Sequence, residues 1–432
     1  MEKHASANPI NTGASSPKKS TLALTLIIAW LGWMFDGMEM GLYSQVIHPA
    51  LKDLTGIQNP EAVAPYVGLT MALFLIGMSV GGVVFGRLGD RIGRVRTMVI
   101  TVLVYAVFTG LSGFVRNWQE LAVCRFLGAT GLGGEWGLGV ALVMETWPNT
   151  SRPVLAGLLG GAANFGFLAA SLVGLNIDRV AAMFGAVGLG GLPAWRYVLV
   201  VGFVPAVLTF FIRLAVKEPE RWVKSRARGE ASALSELFSP RFRSRTVVAA
   251  LCATVAVLGT WVYQWVPTWV NAMGGPNAAH NRAAAQFWMA IGAIVGAFLG
   301  GYTGNWLERR KTYAFFCATS LISGVAMWLL PKSFGAELLA WACIAGVFTT
   351  SLFGWLPLYL PELFPTRIRA TGEGFTFNAG RVLAAVGVFT TGPLVKAFGS
   401  YPKAGATMML IYLVGFAIIW LAPETHGEPL PD

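Results

Sequence analysis

Twelve apolar stretches, at about 22–47, 63–85, 97–115, 119–144, 153–176, 194–216, 246–271, 283–305, 312–331, 338–360, 372–395 and 403–422, make up most of this 432-residue chain. Each has about 20 residues or more, which at roughly 1.5 Å per residue lets an α-helix cross a hydrocarbon core of roughly 30 Å. Charged residues are 12% of the chain, against about 25% in soluble domains. That is too few to cover a water-facing surface of this size, so lipid is the expected solvent, in line with a mean hydropathy of +0.60. The expected fold is an all-α membrane protein with twelve transmembrane helices. The first span is too long for the apolar core of a signal peptide and carries Asp36 and Glu39, so it is read as a retained helix. Residues 1–21 are polar and expected to be disordered. Cys124, Cys252, Cys317 and Cys343 fall inside apolar stretches without metal-ligand spacing and are expected to be buried apolar groups.

A net charge of +11 raises the question of nucleic acid, and the distribution of the charge answers it. With the N-terminus inside the cell, the inner loops hold Arg87, Arg91, Arg94, Arg96, Arg152, Arg309, Arg310, Lys311, Arg367 and Arg369, and the central loop is basic as well. The outer loops have only Lys52, Arg116, Arg179, Arg196, Arg282, Lys332, Lys396 and Lys403. The positive-inside rule therefore places both termini in the cytoplasm of a multi-pass inner (plasma) membrane protein. The basic excess is a topology signal, so lipid bilayer and no nucleic acid are the expected surroundings.

The longest polar stretch between spans, 217–245, separates six spans from six. A repeat supports the division. Gly86-Arg87-Leu88-Gly89-Asp90-Arg91-Ile92-Gly93-Arg94 follows the second span and Gly304-Asn305-Trp306-Leu307-Glu308-Arg309-Arg310 the eighth, 218 residues on. Glu145-Thr146-Trp147-Pro148 with Arg152 ends the fourth span, and Glu362-Leu363-Phe364-Pro365 with Arg369 ends the tenth, 217 residues on. Two different motifs sharing one offset predict a duplicated six-helix bundle, 22–216 and 246–422, joined by a cytoplasmic loop 217–245 and followed by a cytoplasmic tail 423–432, with a solute site between the halves. With both halves in one chain, a monomer is expected.

These segments also carry a family resemblance. Gly86 to Arg96 resembles the loop signature between spans 2 and 3 of the major facilitator superfamily. Arg125-Phe126-Leu127-Gly128-Ala129-Thr130-Gly131-Leu132-Gly133-Gly134-Glu135 resembles the span 4 motif of its sugar and organic-acid branches. Pro361 to Gly372 is similar to the matching signature after span 10, and Pro423-Glu424-Thr425-His426-Gly427 to the tail of span 12. Asp36-Gly37-Met38-Glu39 is similar to the acidic span 1 motif of proton-coupled aromatic-acid, sialate and nicotinate transporters. The resemblance implies two pseudo-symmetric six-helix bundles, transport by alternating access, and a gating rather than substrate-binding role for the loop motifs. The expected cytoplasmic gate is Gly86, Asp90, Arg91, Arg94, Glu145, Arg152, Glu308, Arg309, Glu362, Arg367 and Arg369. Asp90 is expected to accept from an arginine or a helix N-terminus in one conformation only, with Glu145/Arg152 and Glu362/Arg367/Arg369 acting on the related edges. Glu308 stands near the position of Asp90 in the repeat but lacks the trailing glycine, so that copy is degenerate.

A charge in mid-membrane costs about 2.5–3.5 kcal/mol on insertion scales and usually pairs or faces a cavity. Five residues lie at such depth: Asp36, Glu39, Arg125, Glu135 and Arg381. Asp36 and Glu39, at i and i+3, share a helical face. An Asp36–Arg125 pair that breaks on protonation would make a proton switch, because an arginine favours the ionised carboxylate and burial without it favours the neutral form. A permanent pair holding helices together is the alternative, and Glu135 is the alternative coupling carboxylate. Arg381 lacks an acidic partner on its own helix within reach and is the expected anchor for a substrate carboxylate, or else pairs permanently with Asp36, Glu39 or Glu135. Tyr263, Gln264 and Trp265 beside Pro267, together with Tyr43, Gln45, Asn164, Trp355, Tyr359 and Asn378, are expected wall residues.

The leading expectation is proton-coupled uptake of a small organic anion, a carboxylate or acidic sugar. A sugar or polyol porter, or a proton symporter of a neutral metabolite, is the alternative; span 7 lacks the paired glutamines of sugar porters. His4, His48, His280 and His426 are scattered and form no metal or nucleophile set, so no enzyme, metal or cofactor is expected.

Overall fold

The computed structural model describes residues 19–147, 151–176, 179, 182–183, 191–200, 216–228, 234–274 and 277–432, and these are helical without a strand. The long helices are α1 (Lys19–Thr55), α2 (Pro60–Ile92), α3 (Arg94–Ser112), α4 (Trp118–Thr146) and α5 (Arg152–Leu175). Then come α6 (194–200), α7 (Arg243–Ala272), α8 (Ala278–Trp306), α9 (Arg309–Leu329), α10 (Ala336–Leu363), α11 (Arg369–Phe398) and α12 (Tyr401–Leu421). Among the described residues, 11 helices are long and apolar enough to cross a membrane. Residues 201–215 of the sixth expected span lie outside the described residues, as do 1–18 of the expected disordered N-terminus; Lys19 to Thr21, expected to be disordered, already belong to α1.

Local sequence explains the breaks. Asn117 caps α4 by accepting from the Glu120 N–H at 2.8 Å, while the Glu120 carboxylate accepts from the Arg116 N–H at 2.8 Å, a reciprocal N-terminal cap. Pro267 has no N–H to offer the Tyr263 carbonyl, and α7 opens into a turn at Gln264 and Trp265.

Packing repeats under a shift of six helices. In the first half α2 packs on α4, α1 on α5 and α3 on α4; in the second α8 packs on α10, α7 on α11 and α9 on α10. The halves meet through α2 with α11 and through α5 with α8, and a two-fold exchange maps one seam onto the other. The surface is inverted relative to a soluble protein. Val84, Val107, Ile322 and Trp306 stand exposed on the outside, while Arg94, Arg125, Arg369 and Asp36 are fully buried. Cys252 and Cys317 are buried as expected, whereas Cys124 and Cys343 are half-buried.

Small residues permit these seams. A Cβ on Gly374 would strike the Gly82 carbonyl, and one on Gly82 would strike Asn378, so α2 and α11 touch backbone to backbone. Gly374→Val is expected to hold these helices apart. Spin labels placed on the two halves near Arg94 should then report a longer mean separation; an unchanged distance distribution would count against so tight a seam.

Candidate functional site

Two charged layers lie along the seam, one at the Arg94 end and one at mid-depth. At the Arg94 end, Asp90 lies in the last turn of α2 and faces the first turn of α11. Its carboxylate accepts from Ala370 N (3.2 Å), Thr371 N (2.8 Å) and Thr371 Oγ1 (2.5 Å), and lies 3.0 Å from Arg94 Nη1. Both expected partners, an arginine and a helix N-terminus, are thus present at once, and the N–H groups of α11 are orphan donors until Asp90 takes them. Gly86 makes the approach possible, because a Cβ there would meet the Ala370 carbonyl. Gly93 has φ 115°, the left-handed region that favours glycine, and starts α3, whose Val95 and Arg96 N–H groups donate to Glu218 at 3.2 and 3.1 Å.

Glu145 is the hub of this layer. Arg94 donates to both of its oxygens (Nε–Oε2 3.2 Å, Nη2–Oε1 2.9 Å), and Arg369 from the other half donates to Oε1 at 2.8 Å, all three side chains having no exposed area. Arg94 also reaches across to the Thr366 carbonyl at 2.6 Å. The related edge repeats the design. Arg309 grips Glu362 (Nε–Oε2 2.9 Å, Nη2–Oε1 2.7 Å), and the charge of Arg152, from the first half, acts on Glu362. Glu424 takes the role of Glu218, accepting from the N–H groups of Arg309 (2.8 Å) and Arg310 (3.0 Å).

The expected groupings are corrected here. Glu145 takes Arg94 and Arg369, so Arg369 answers Glu145 rather than Glu362, and Glu362 takes Arg309. Arg367 pairs instead with Glu236 of the central loop (Nε–Oε1 3.1 Å). Glu145 thus binds one arginine of each half, while Glu362 grips Arg309 of its own half and acts on the charge of Arg152 from the other. Glu308 does not stand in for Asp90. It follows the end of α8 at the cap position of α9, half-exposed, with Lys311 Nζ at 2.9 Å, whereas Asp90 lies inside α2 and aims at the seam. Arg91, one residue on, is exposed. Glu218 and Glu236 went unmarked in the sequence; the spacing of Glu218 before a proline, like that of Glu424 after one, is the signal that was there to read.

At mid-depth, Arg125 of α4 is fully buried and its guanidinium grips Glu39 of α1, which also accepts from Thr109 Oγ1 at 3.1 Å. Tyr43 covers this arginine, 4.2 Å from ring centroid to guanidinium carbon, and stacks on Phe74. The expected Asp36–Arg125 pair is therefore replaced by Glu39–Arg125. Asp36 lies three residues earlier on α1, and its charge acts on Arg381 of α11 in the other half. Glu135 turns toward α3, where Thr101 Oγ1 donates to it at 3.3 Å.

Arg381 is buried, donates to Asn378 Oδ1, and lies 4.7 Å over the Phe377 ring. Phe377 stacks on Trp136 at 3.7 Å and meets Trp33 edge-on at 6.1 Å, so an aromatic layer from both halves lies about one helical turn, roughly 5 Å, nearer the Arg94 end than Arg381. Trp33, Trp136 and Phe377 were not singled out in the sequence, though Phe377 stands four residues before Arg381, on its face of the helix.

The expected wall residues scatter. Asn378 is spent on the seam: its amide donates to the carbonyls of Gly133 (3.1 Å) and Gly374 (2.8 Å), and its own carbonyl accepts from Ser79 (3.0 Å). Tyr263 donates to the Ala342 carbonyl (2.7 Å), Trp355 to Arg309 (3.1 Å) and Tyr359 to Pro423 (2.8 Å), so these three are packed into the second half. Gln45 donates to Ala170 (2.9 Å), Asn164 is half-buried, Trp265 is buried, and Gln264 is exposed at the α7 break.

Against known proteins, the chain is 27% identical over 96% of its length to a probable 4-methylmuconolactone transporter of Cupriavidus pinatubonensis, covering 92% of that protein. It is 26% identical to the sialic acid transporter NanX of Escherichia coli (91% of this chain, 93% of that one) and 27% identical to the niacin transporter NiaP of Acinetobacter baylyi (94% of each). Its fold superposes on the proton:xylose symporter XylE bound to 6-bromo-6-deoxy-D-glucose with a TM-score of 0.79 at 19% identity, covering 96% of this chain and 98% of that one. The family model of the Major Facilitator Superfamily matches residues 23–387. With the repeated helix packing, the match of the family model and these relatives together, the chain belongs to the Major Facilitator Superfamily and is a multi-pass membrane transporter of metabolites, not an enzyme.

Proposed function

We propose that this transporter takes up a small organic anion together with a proton, by alternating access. The observation that carries this reading is the placement of Arg381, buried at the seam between the halves, with Asp36 as the carboxylate whose charge acts on it. A guanidinium there is a bidentate anchor for a carboxylate. Ionised Asp36 and an incoming carboxylate compete for the same cation, and protonating Asp36 removes the competitor. Proton and anion then favour one another's binding, which is the linkage a symporter needs. Niacin and sialic acid, in the names of two relatives, are carboxylic acids, which supports an anionic cargo.

The Arg94 end is assigned to the cytoplasm on the basic bias of its loops. Closure of the Asp90 and Glu145 latch then seals that side, and solute leaves when it opens. Residues 22–216 and 246–422 act as the two rocking bundles, with 217–245 and 423–432 as cytoplasmic segments, and one chain is the working unit. The Glu39–Arg125 pair favours a second placement of the proton, on Glu39.

The test is uptake into proteoliposomes of nicotinate, benzoate, sialate and cis,cis-muconate beside nicotinamide and xylose, with and without an inward proton gradient. At least one anion should accumulate only with the gradient. Asp36→Asn should keep solute exchange and lose gradient-driven accumulation, whereas if Glu39 carries the proton, Glu39→Gln shows that loss instead. Uptake confined to neutral solutes would sink the anion, and accumulation indifferent to the gradient would remove the proton.

A further inference from the structure

Among the described residues, Glu373 is a fully buried carboxyl group of the latch layer that neither the gate nor the central site employs. It sits in the second turn of α11, fully buried, and neither carboxylate oxygen has a hydrogen-bond partner among the described residues. The strongest charges reaching it are Arg369 on its own helix, Glu145 of α4, Arg94 of α3 and Asp90 of α2.

The two arginines are already committed. Arg369, four residues earlier, spends its donors on Glu145, the Thr366 hydroxyl and the carbonyls of Pro361, Phe364 and Pro431. Arg94 spends its own on Glu145, Asp90 and the carbonyls of Gly89 and Thr366. Asp90 and Glu145 therefore balance Arg94 and Arg369 charge for charge. An ionised Glu373 would add an uncompensated negative charge beside two other carboxylates, in a site without water-facing area. A carboxyl group so placed keeps its proton.

We propose that Glu373 is a proton-binding site of the gate: it holds a proton while the latch is closed and releases it to water on the side to which the latch opens. The O–H bond breaks to leave the carboxylate, the proton goes to solvent on that side, and nothing is oxidised or reduced. The sign follows from linkage. The closed state binds one more proton than the open one wherever the open-state carboxyl is ionised, so raising the pH withdraws a stabilisation of the closed state. Opening should grow with pH on the latch side, by up to about tenfold per pH unit for one proton. An acid interior would hold the gate shut, a brake separate from the Asp36 and Arg381 site and independent of what the cargo is.

The experiment uses the full chain in nanodiscs without solute, its native cysteines replaced, with spin labels at Arg96→Cys and Lys311→Cys, two exposed positions on opposite halves at the latch end. Double electron–electron resonance between pH 5 and 9 should show a long-distance population rising with pH. Glu373→Gln, which copies the protonated group in shape, should stay closed with a flat profile, and Glu373→Leu should be flat as well. Asp36→Asn should keep the wild-type slope. A wild-type profile without slope, or a slope that survives in both Glu373 variants, overturns the inference. A slope lost in Asp36→Asn instead would also overturn it, leaving the proposed coupling role of Asp36 intact; failure of anion uptake would leave the Glu373 slope untouched.

Discussion

Arg381→Ala is expected to abolish anion uptake, lowering kcat/KM by roughly 30- to 5,000-fold. That range converts the roughly 2–5 kcal/mol lost when one partner of a buried, hydrogen-bonded charge pair is truncated. The alanine removes the anchor for the carboxylate and also strands Asp36, whose charge Arg381 balances. The two losses separate in the double variant Asp36→Asn/Arg381→Ala. It should be extracted and purified more readily than Arg381→Ala alone, because no buried charge is left uncompensated, yet it should transport no better. Arg381→Lys keeps the charge without the planar fork and should fall between. Measured by initial uptake rates in proteoliposomes at matched protein content, a near-wild-type rate for Arg381→Ala would remove Arg381 from the site.

The second large effect is expected at the latch. Glu145→Gln takes the shared carboxylate from Arg94 and Arg369 together, and neither guanidinium has exposed surface through which water could compensate. Removing one partner of a buried ion pair costs about 3–5 kcal/mol. Opening of the latch exposes these arginines to water, so the cost falls on the closed state and the open-to-closed ratio should rise roughly 150- to 5,000-fold. The same spin-label pair, Arg96→Cys with Lys311→Cys, should report an open majority at every pH. Glu362→Gln should shift the balance less, because its edge lacks a counterpart of Asp90: Glu308 is turned out to water. Equal shifts from the two glutamates would show that Asp90 adds nothing to its edge.

Much of this was legible in the linear sequence, for definite reasons. Span length against membrane thickness fixes the helices, and the one shared offset of two motifs fixes the duplicated halves. The types of the latch residues were also readable, since Asp90 stands in a motif whose glycines allow close approach and Glu145 and Glu362 stand in a motif repeated 217 residues apart. Their partners were not. Arg369 lies 224 residues from Glu145, and nothing local distinguishes it from Arg367, two positions earlier, which turns away to Glu236. The same holds at mid-depth. Asp36 and Glu39 differ by less than one helical turn, yet one faces Arg381 across the seam and the other Arg125 within its own half.

The wall residues show the opposite failure. Tyr263, Trp355, Tyr359 and Asn378 have the right chemistry for a solute site, but a buried polar group must find a partner, and each had one in a neighbouring backbone carbonyl. Glu373 is an exception that the sequence could not flag, because being without a hydrogen-bond partner is a property of the packed seam. The sequence by itself determined the solvent, the number and order of the spans and the duplicated design, since these follow from hydrophobic length and repetition along one chain. Only the tertiary structure decided which charge answers which, because each pairing depends on which face of a helix meets the other half, and a rotation of one residue, about 100°, changes the partner.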